Sequence, residues 1–465
     1  MKEYLATIGL EIHAELKTAS KMFCSCKNDP DEKKPNTNIC PICVGHPGTL
    51  PVLNKEAIKH VLKIAYAVGG KISDFTEWDR KNYFYPDIPK GYQISQYKYP
   101  LVSGGKLAGI DLTRIHLEED TAQSTHDTHE KSLVNFNRSG VPLMELVTEP
   151  VIHDAETAVK FAKELQLLLR YLGAGEANLE KGEMRVEANI SVASPQDTEA
   201  RKFGTKTEVK NLNSFKSVEK AITFEIKRQI ELLEASERVV QETRGWDENT
   251  SSTYSQRAKE NSHDYRYFPE PDIPKLKISE VKEFSGEQLS REMPELPWVK
   301  RERFTKDFGT TEKEVAVFIE LPNKARYFEE VIVGKPKIVK LAINYILNTP
   351  LDVTSINPQN FAKLLMMIDE KKISSTNAKD IISMLIKEDA DPEVLANKNG
   401  LMQKSDEGEI KKIVEEIISK NTEAVAEYKK GKLVSLQFLI GQGMKATKGS
   451  ANPELLKKII LETIG

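Results

Sequence analysis

Three segments of this 465-residue chain alternate strictly between apolar and polar residues, and the polar positions gather acids. Ile8, Leu10, Ile12 and Ala14 alternate with Gly9, Glu11, His13 and Glu15. Ile115 and Leu117 alternate with His116, Glu118 and Asp120. Met184, Val186, Ala188, Ile190 and Val192 alternate with Glu183, Arg185, Glu187, Asn189 and Ser191. A period of two reads as a strand with one buried face and one polar face. Residues two apart point the same way, so Glu11 lies beside His13, and Glu118 beside His116 and Asp120. Lys206, Glu208 and Lys210 repeat the pattern on a fourth strand. An ordinary solvated face would carry Lys and Thr as well as acids. Glu145 stands in the otherwise apolar run Pro142-Leu-Met-Glu-Leu146, where a carboxylate is costly to bury unless paired or metal-bound. Several acids and a histidine converging on one sheet suit a hard cation such as Mg²⁺, which prefers oxygen ligands. The plainer alternative is a set of solvent-facing strand residues in salt bridges, because spacing does not make strands neighbours.

Helical patterns interrupt the strands. One starts after Asp154 as N-cap, runs through Phe161, Leu165 and Leu169, and stops at Gly173. Another starts near Asn213 or Ser214 and puts Val218, Ile222, Ile226, Ile230 and Leu233 on one stripe. The expected fold class is therefore α+β, with an antiparallel or mixed sheet. The length allows two to four domains. Pro294 and Pro297 flank a charged stretch, beyond which helical periodicity dominates. The expected division is 1–292, a helical domain over 293–407, and a small helical tail over 408–465. With 67 Lys+Arg against 70 Asp+Glu the chain carries a net charge of -3, which excludes a uniformly basic nucleic-acid coat. The tail alone holds ten Lys against seven Glu. An N-terminus without an apolar signal core, and the lack of any 18-residue apolar run, predict a cytoplasmic protein with no membrane partner.

All four cysteines fall between Cys24 and Cys43. Cys24-x-Cys26 followed by Cys40-Pro-Ile-Cys43 fits four-thiolate zinc spacing. Disulfides and free thiols are the alternatives, and His46 could replace one sulfur. A four-cysteine site is closed, so no catalytic thiol is expected there.

Three polar, turn-rich segments could hold a nucleotide: Lys81–Asp87, Asn135–Pro142 and Lys210–Phe215, the last opening a helix. Lys81 or Arg138 would meet phosphates and the aromatics a base; ordinary turn chemistry is the competing reading. The GxxxxGK[ST] phosphate loop is absent.

Taken in order, Gly9-Leu-Glu-Ile-His13, Cys40-Pro-Ile-Cys-x-Gly-x-Pro-Gly48, Lys81-Asn-Tyr-Phe-Tyr-Pro-Asp87, Gly91-Tyr-Gln-Ile-Ser-Gln96, His116-Leu-Glu-Glu-Asp120, Asn137-Arg-Ser-Gly-Val-Pro-Leu143, Lys210-Asn-Leu-Asn-Ser-Phe215, Thr243-Arg-Gly-Trp246, Tyr265-Arg-Tyr-Phe-Pro-Glu-Pro-Asp272 and Met293-Pro-Glu-Leu-Pro297 resemble one family. It is the GatB/GatE family, the B subunits of aspartyl/glutamyl-tRNA(Asn/Gln) amidotransferases. The resemblance implies an acid-lined antiparallel cradle similar to the glutamine synthetase/guanido kinase fold over 1–292. It implies ATP-dependent phosphorylation of the side-chain carboxylate of Glu-tRNA(Gln) or Asp-tRNA(Asn), followed by amidation. Carried over by position, Glu11, His13, Glu118, Glu145 and Glu208 would hold Mg²⁺ and act in catalysis, with Glu187 and Glu119 in reserve. Glu118 is preferred to Glu119 because it shares the face of His116. Lys81, Tyr83, Asn137, Arg138, Ser139, Lys210 and Asn211 would contact ATP or substrate. Structural Zn²⁺ on Cys24, Cys26, Cys40 and Cys43 rests on their spacing. The tail resembles a YqeY-like tRNA-binding module. The chain has neither a Ser-Lys amidase signature nor a cysteine outside the cluster, so ammonia must come from another chain. The family implies an amidase-type glutaminase partner (GatA), a small linking partner (GatC), misacylated tRNA(Gln) or tRNA(Asn), and a synthetase in a transamidosome. The competing reading is a noncatalytic, zinc-containing tRNA-binding adaptor.

Overall fold

The computed structural model describes residues 3–126, 131–258, 265–403, 407–447, 451 and 453–465. Two compact units divide between Pro297 and Trp298. The first is α+β. Its strands include β1 (Leu5–Glu15), β2 (Lys71–Ile72), β3 (Asp79–Asn82), β4 (Tyr92–Ser95), β5 (Val102–Ser103), β6 (Lys106–Leu107), β7 (Ile110–Glu119), β8 (Pro142–Thr148), β9 (Met184–Ala193), β10 (Thr207–Leu212), β11 (Glu242–Asp247) and β12 (Ser252–Ala258). The main sheet runs β12-β11-β10-β9-β1-β8-β7-β5-β2, with β6 paired to β7. All pairs are antiparallel except β10–β11. A parallel pair needs a crossover, and a long helix supplies it.

The alternation explains the sheet. Ile8, Leu10, Ile12 and Ala14 are fully buried, as are Ile115, Leu117, Ala188 and Ile190. Ile12 lies opposite Leu146 on β8 and Val186 on β9, so the apolar faces of adjacent strands are in register. Each such buried aliphatic side chain contributes about 1.5–3 kcal/mol relative to exposure. Helices α1 (Lys55–Val68), α2 (Ala155–Tyr171) and α3 (Phe215–Glu234) pack with these strands. Asp154 caps α2 by accepting from Thr157 N at 2.7 Å, and Ser214 caps α3 by accepting from Ser217 N at 3.0 Å.

The face of α3 departs from expectation. Val218 and Ile222 are buried, but the stripe continues through Ala221, Glu225 and Gln229, while Ile226 and Ile230 are only partly covered. A polar cluster under the helix draws Glu225 inward and rotates the apolar positions away.

The second unit is helical. Phe304, Phe318 and Phe328 form an aromatic cluster with ring centroids 5.0–5.7 Å apart. Residues 410–464 have a core of their own, built from Ile410, Val414, Leu439, Leu456 and Ile460. Among the described residues no helix is long and apolar enough to cross a membrane.

Candidate active site

Strand register brings the acids together. His13 on β1 lies opposite Glu145 on β8 and Arg185 on β9, and Glu145 in turn lies opposite His116 on β7. Glu11 lies opposite Glu187, and Asn189 opposite Glu208. The polar positions of five strands thus form one grid. Glu145, the carboxylate in an apolar run, belongs to it because β8 is flanked on both sides by histidine-bearing strands.

The distances are short. His13 Nε2 lies 3.4 Å from both Glu118 Oε1 and Glu145 Oε2, and His116 Nε2 lies 3.3 Å from Glu145 Oε2. Arg114 Nη2 reaches Glu145 Oε1 at 3.0 Å, and Ser95 Oγ donates to Glu118 Oε2 at 3.0 Å. At the other end of the grid Lys210 Nζ donates to Glu187 Oε2 at 2.7 Å, and Thr243 Oγ1 to Glu208 Oε2 at 2.8 Å.

Titration follows from these contacts. Burial alone would lower His13, but hydrogen bonds and charge from Glu118 and Glu145 outweigh it and raise its pKa well above the ordinary value. Against the same burial penalty, His13 holds Glu118 low, and His116 with His13 holds Glu145 well below the usual carboxylate range. Glu11 behaves oppositely. Burial, then Glu145 and Glu187, push it up. Burial disfavours the charged form of Lys81, yet Glu118 prevails and raises its pKa.

Among the described residues, three overlapping donor sets could take a divalent cation: Glu11, His13 and Glu145; His116, Glu118 and Glu145; Glu11, Glu187 and Glu208. Within each set the ligand atoms lie within 4.8 Å of one another. Octahedral Mg²⁺ places opposite oxygens about 4.2 Å apart, so these oxygen-rich sets fit it after small side-chain closure. A cation there would also relieve the repulsion that raises Glu11.

Glu11, His116, Glu145 and Glu208 of the grid line an open cleft of about 420 Å³, whereas His13, Glu118 and Glu187 are not among its lining residues. Its other walls include Lys81, Gln96, Tyr97, Arg114, Lys206, Lys210, Tyr265 and Tyr267. Tyr97 and Tyr267 stack at 4.3 Å, and Lys81 Nζ lies 5.1 Å from the Tyr265 ring centroid. Acids thus face cations and aromatics across one opening, a chemistry suited to a nucleotide and its metal.

Residues 6–282 match the GatB/GatE catalytic domain, and residues 327–464 match the GatB domain. The chain belongs to the GatB/GatE family. It is 42% identical over 479 residues to the B subunit of the aspartyl/glutamyl-tRNA(Asn/Gln) amidotransferase of Thermodesulfovibrio yellowstonii, with 99% of each chain covered. The proteins of the same name from Caldicellulosiruptor saccharolyticus and Carboxydothermus hydrogenoformans are 43% and 41% identical. Those alignments cover 99% and 100% of this chain, and 99% of each relative.

In this GatB/GatE chain the expected nucleotide contacts separate. Lys81 and Lys210 line the cleft; Asn137, Arg138, Ser139 and Asn211 are not among its lining residues. Asn137 is fully buried, and its amide is taken up by the backbone of residues 32–38. Ser139 Oγ donates to Cys43 O at 3.0 Å. Arg138 donates to the carbonyls of Thr121 and Ala122. Asn211 adopts a left-handed φ of 66° and its Nδ2 lies 3.5 Å from Tyr254 Oη, beside Trp246 in a separate surface pocket. Tyr83 Oη lies 3.5 Å from Gln93 Oε1, next to Tyr265. Glu119 points away from Glu118; it pairs with Lys90 and accepts from Ile94 N at 2.9 Å.

Sequence reading missed Arg114, Ser95, Thr243, Tyr97, Tyr265 and Tyr267 as site residues. Extending the β7 alternation two residues back from His116 reaches Arg114. Thr243, Tyr265 and Tyr267 lie in family motifs that by themselves assign them no role. Ser95 ends the short β4 strand inside the Gly91–Gln96 motif, which likewise assigns it no role, and Tyr97 lies just past that motif.

The four cysteines are free and clustered, with Cys26 Sγ 4.0 Å and Cys40 Sγ 3.8 Å from Cys43 Sγ. A zinc tetrahedron with 2.3 Å bonds has edges of about 3.8 Å, whereas a disulfide needs about 2.05 Å. The geometry fits the metal. Hydrogen bonding from Cys24 is the largest influence bringing the Cys43 thiol down to about 5, helped by the Cys40 backbone and Lys21. Buried Lys21 caps the carbonyls of Asn38 and Phe136.

Proposed function

We propose that this chain is the B subunit of an aspartyl/glutamyl-tRNA(Asn/Gln) amidotransferase. It would phosphorylate the side-chain carboxylate of Glu-tRNA(Gln), Asp-tRNA(Asn) or both with ATP, and then receive ammonia to form the amide. The observation that carries the reading is the carboxylate–histidine grid on one sheet face, under a cleft walled by lysines and tyrosines. Full-length similarity to proteins of that name supports it.

The chemistry needs both walls. A carboxylate is a poor electrophile with a poor leaving group, and phosphorylation supplies a better one. Mg²⁺ on Glu11, His13, Glu118, Glu145 and Glu208 would offset the charge of the transferring phosphoryl group. Lys81 and Lys210, both kept cationic by neighbouring acids, would attract the phosphates and the substrate carboxylate. His13 Nε2, 3.4 Å from both Glu118 and Glu145, would lose its proton on ligating the cation and would hold the metal between those two carboxylates. The cradle is proposed to share the glutamine synthetase/guanido kinase architecture, the cysteine knuckle to hold structural Zn²⁺, and residues 408–465 to form the tRNA-binding module. An amidase-type partner (GatA) and a small linking partner (GatC) would supply ammonia and complete the assembly.

The test is ATP hydrolysis by the assembled complex, with and without Glu-tRNA(Gln) or Asp-tRNA(Asn). Wild type should hydrolyse ATP faster with one of these charged tRNAs. Glu118→Gln should lower that stimulated rate by about 10²-fold or more. Absence of stimulation in wild type rejects the kinase role, and an unimpaired mutant rejects the site.

A further inference from the structure

The polar cluster beneath α3 has no part in the cleft, yet it is built as fully as the site itself. Glu225 and Gln229 are both completely buried. Glu225 Oε1 accepts from Arg228 Nη2 at 2.6 Å and Gln229 Nε2 at 2.9 Å. Its Oε2 accepts from Arg228 Nε at 2.9 Å and Thr253 Oγ1 at 3.1 Å. The Thr253 hydroxyl also accepts from Arg244 Nε at 2.8 Å, and Arg244 Nη2 donates to Thr253 O at 2.7 Å. Arg244 Nη1 closes the network on Glu242 at 2.5 Å, and Gln229 Nε2 donates to Ile190 O on β9. One carboxylate thus ties α3 to β9, β11 and β12.

What lies on the other side of the sheet gives the cluster a purpose. Successive strand residues point to opposite faces. Arg244 faces the helix, whereas its neighbour Thr243 lines the cleft, where it donates to Glu208. Thr243 and Glu208 are also direct partners in the parallel β10–β11 pairing. The pairing of β11 with β12 is irregular between Thr243 and Arg244. Such a bulge leaves the local pleat less constrained by ladder hydrogen bonds. Ile190, held from behind by Gln229, adjoins Asn189, which lies opposite Glu208. The back-face cluster grips both strands flanking Glu208 next to two places where the ladder shifts register.

We propose that Glu225, through Arg244 and Thr253, is a positioning residue for Glu208. It holds Thr243 and the β10–β11 pleat so that Glu208 stays in ligand range of Glu11 and Glu187. The inference rests on the reading of that set as a divalent-cation site.

The test titrates the full chain with Mn²⁺, following free ion by electron paramagnetic resonance, in wild type, Glu208→Gln, Glu225→Gln, Thr253→Val and Thr253→Ser. Orienting partners of metal ligands typically change affinity by about 10–100-fold. Glu225→Gln should weaken Mn²⁺ binding by about tenfold or more, and Thr253→Val by about threefold. Thr253→Ser, which keeps the hydroxyl, should restore wild-type affinity. A merely structural cluster would lower the melting temperature while leaving Mn²⁺ affinity within twofold of wild type, and that result overturns the proposal. If Glu225→Gln does not fold, the Thr253→Val and Thr253→Ser pair decides alone. Unchanged affinity in Glu208→Gln overturns the cation reading itself, and the positioning role with it.

Discussion

Glu15 stands two residues beyond His13 on the same face of β1, beside Asp120, which Arg185 contacts at 2.6 Å. Burial, then the Asp120 charge, push the Glu15 carboxyl up to about 8. An unfolded Glu ionises near pH ~4.3. Between those values the folded chain binds a proton that the unfolded chain has lost, so stability from this group declines as pH rises. It is fully present below pH ~4.3 and gone above about 8. Glu15→Gln removes the titration. Its stability relative to wild type should therefore improve by on the order of 3–4 kcal/mol between pH 5 and pH 8, measured by urea unfolding. Parallel pH profiles for the two proteins would contradict the assignment. At this scale the sequence is informative about which way a side chain points and silent about what it meets. Alternation places Glu11, His13 and Glu118 on polar faces. Only register, a non-local property, shows that Glu145 lies between two histidines.

The element that best shows this difference is the turn Asn135–Pro142. Its polar residues read as nucleotide contacts, but folding turns Asn137 and Ser139 toward the cysteine segment and Arg138 toward Asp120, Thr121 and Ala122. Asn137 Oδ1 accepts from Thr37 N and Asn38 N at 2.9 and 3.0 Å, and Nδ2 donates to Lys34 O at 2.9 Å. Gly140, at φ +85°, brings the chain between Lys21 and Cys43, where a side chain would be strained. Asn137→Ala should destabilise the first unit by about 3 kcal/mol, because buried backbone groups lose their partners. It should also speed zinc loss to a chelator while leaving KM for ATP within twofold of wild type. A large rise in that KM with unaltered zinc release would return Asn137 to the nucleotide site. Helix α3 teaches a related lesson. Its apolar periodicity is legible, but the buried stripe follows Glu225 and Gln229, since a satisfied ion cluster can be buried as deeply as isoleucine.

For the whole molecule, the near-neutral charge of -3 averages over regions of opposite character. The first unit concentrates carboxylates in a cleft; the tail carries ten Lys against seven Glu in a module with its own core. Chain-wide composition therefore hides a lysine-rich surface that regional counting reveals. Within the tail, Val434 and Phe438 are exposed in a pocket they share with Lys420, Lys432, Glu423 and Glu427, where Lys432 pairs with Glu427 and Lys420 with Glu416. Exposed apolar and aromatic groups among lysines suit nucleic acid, where cations meet phosphate and rings meet bases. The two contributions are separable. Phosphate contacts release counterions and give binding a steep salt dependence, whereas ring stacking does not. Deleting residues after Gly408 should weaken tRNA binding and make the log–log salt slope shallower by about 2–3 units. Phe438→Ala should weaken binding by about 5–50-fold at every salt concentration and leave the slope intact. Because the tail packs its own core, ATP hydrolysis without tRNA should persist in the truncated complex. If affinity and slope both survive the deletion, tRNA must be held by other parts of the assembly, and the lysine excess of the tail serves some other surface.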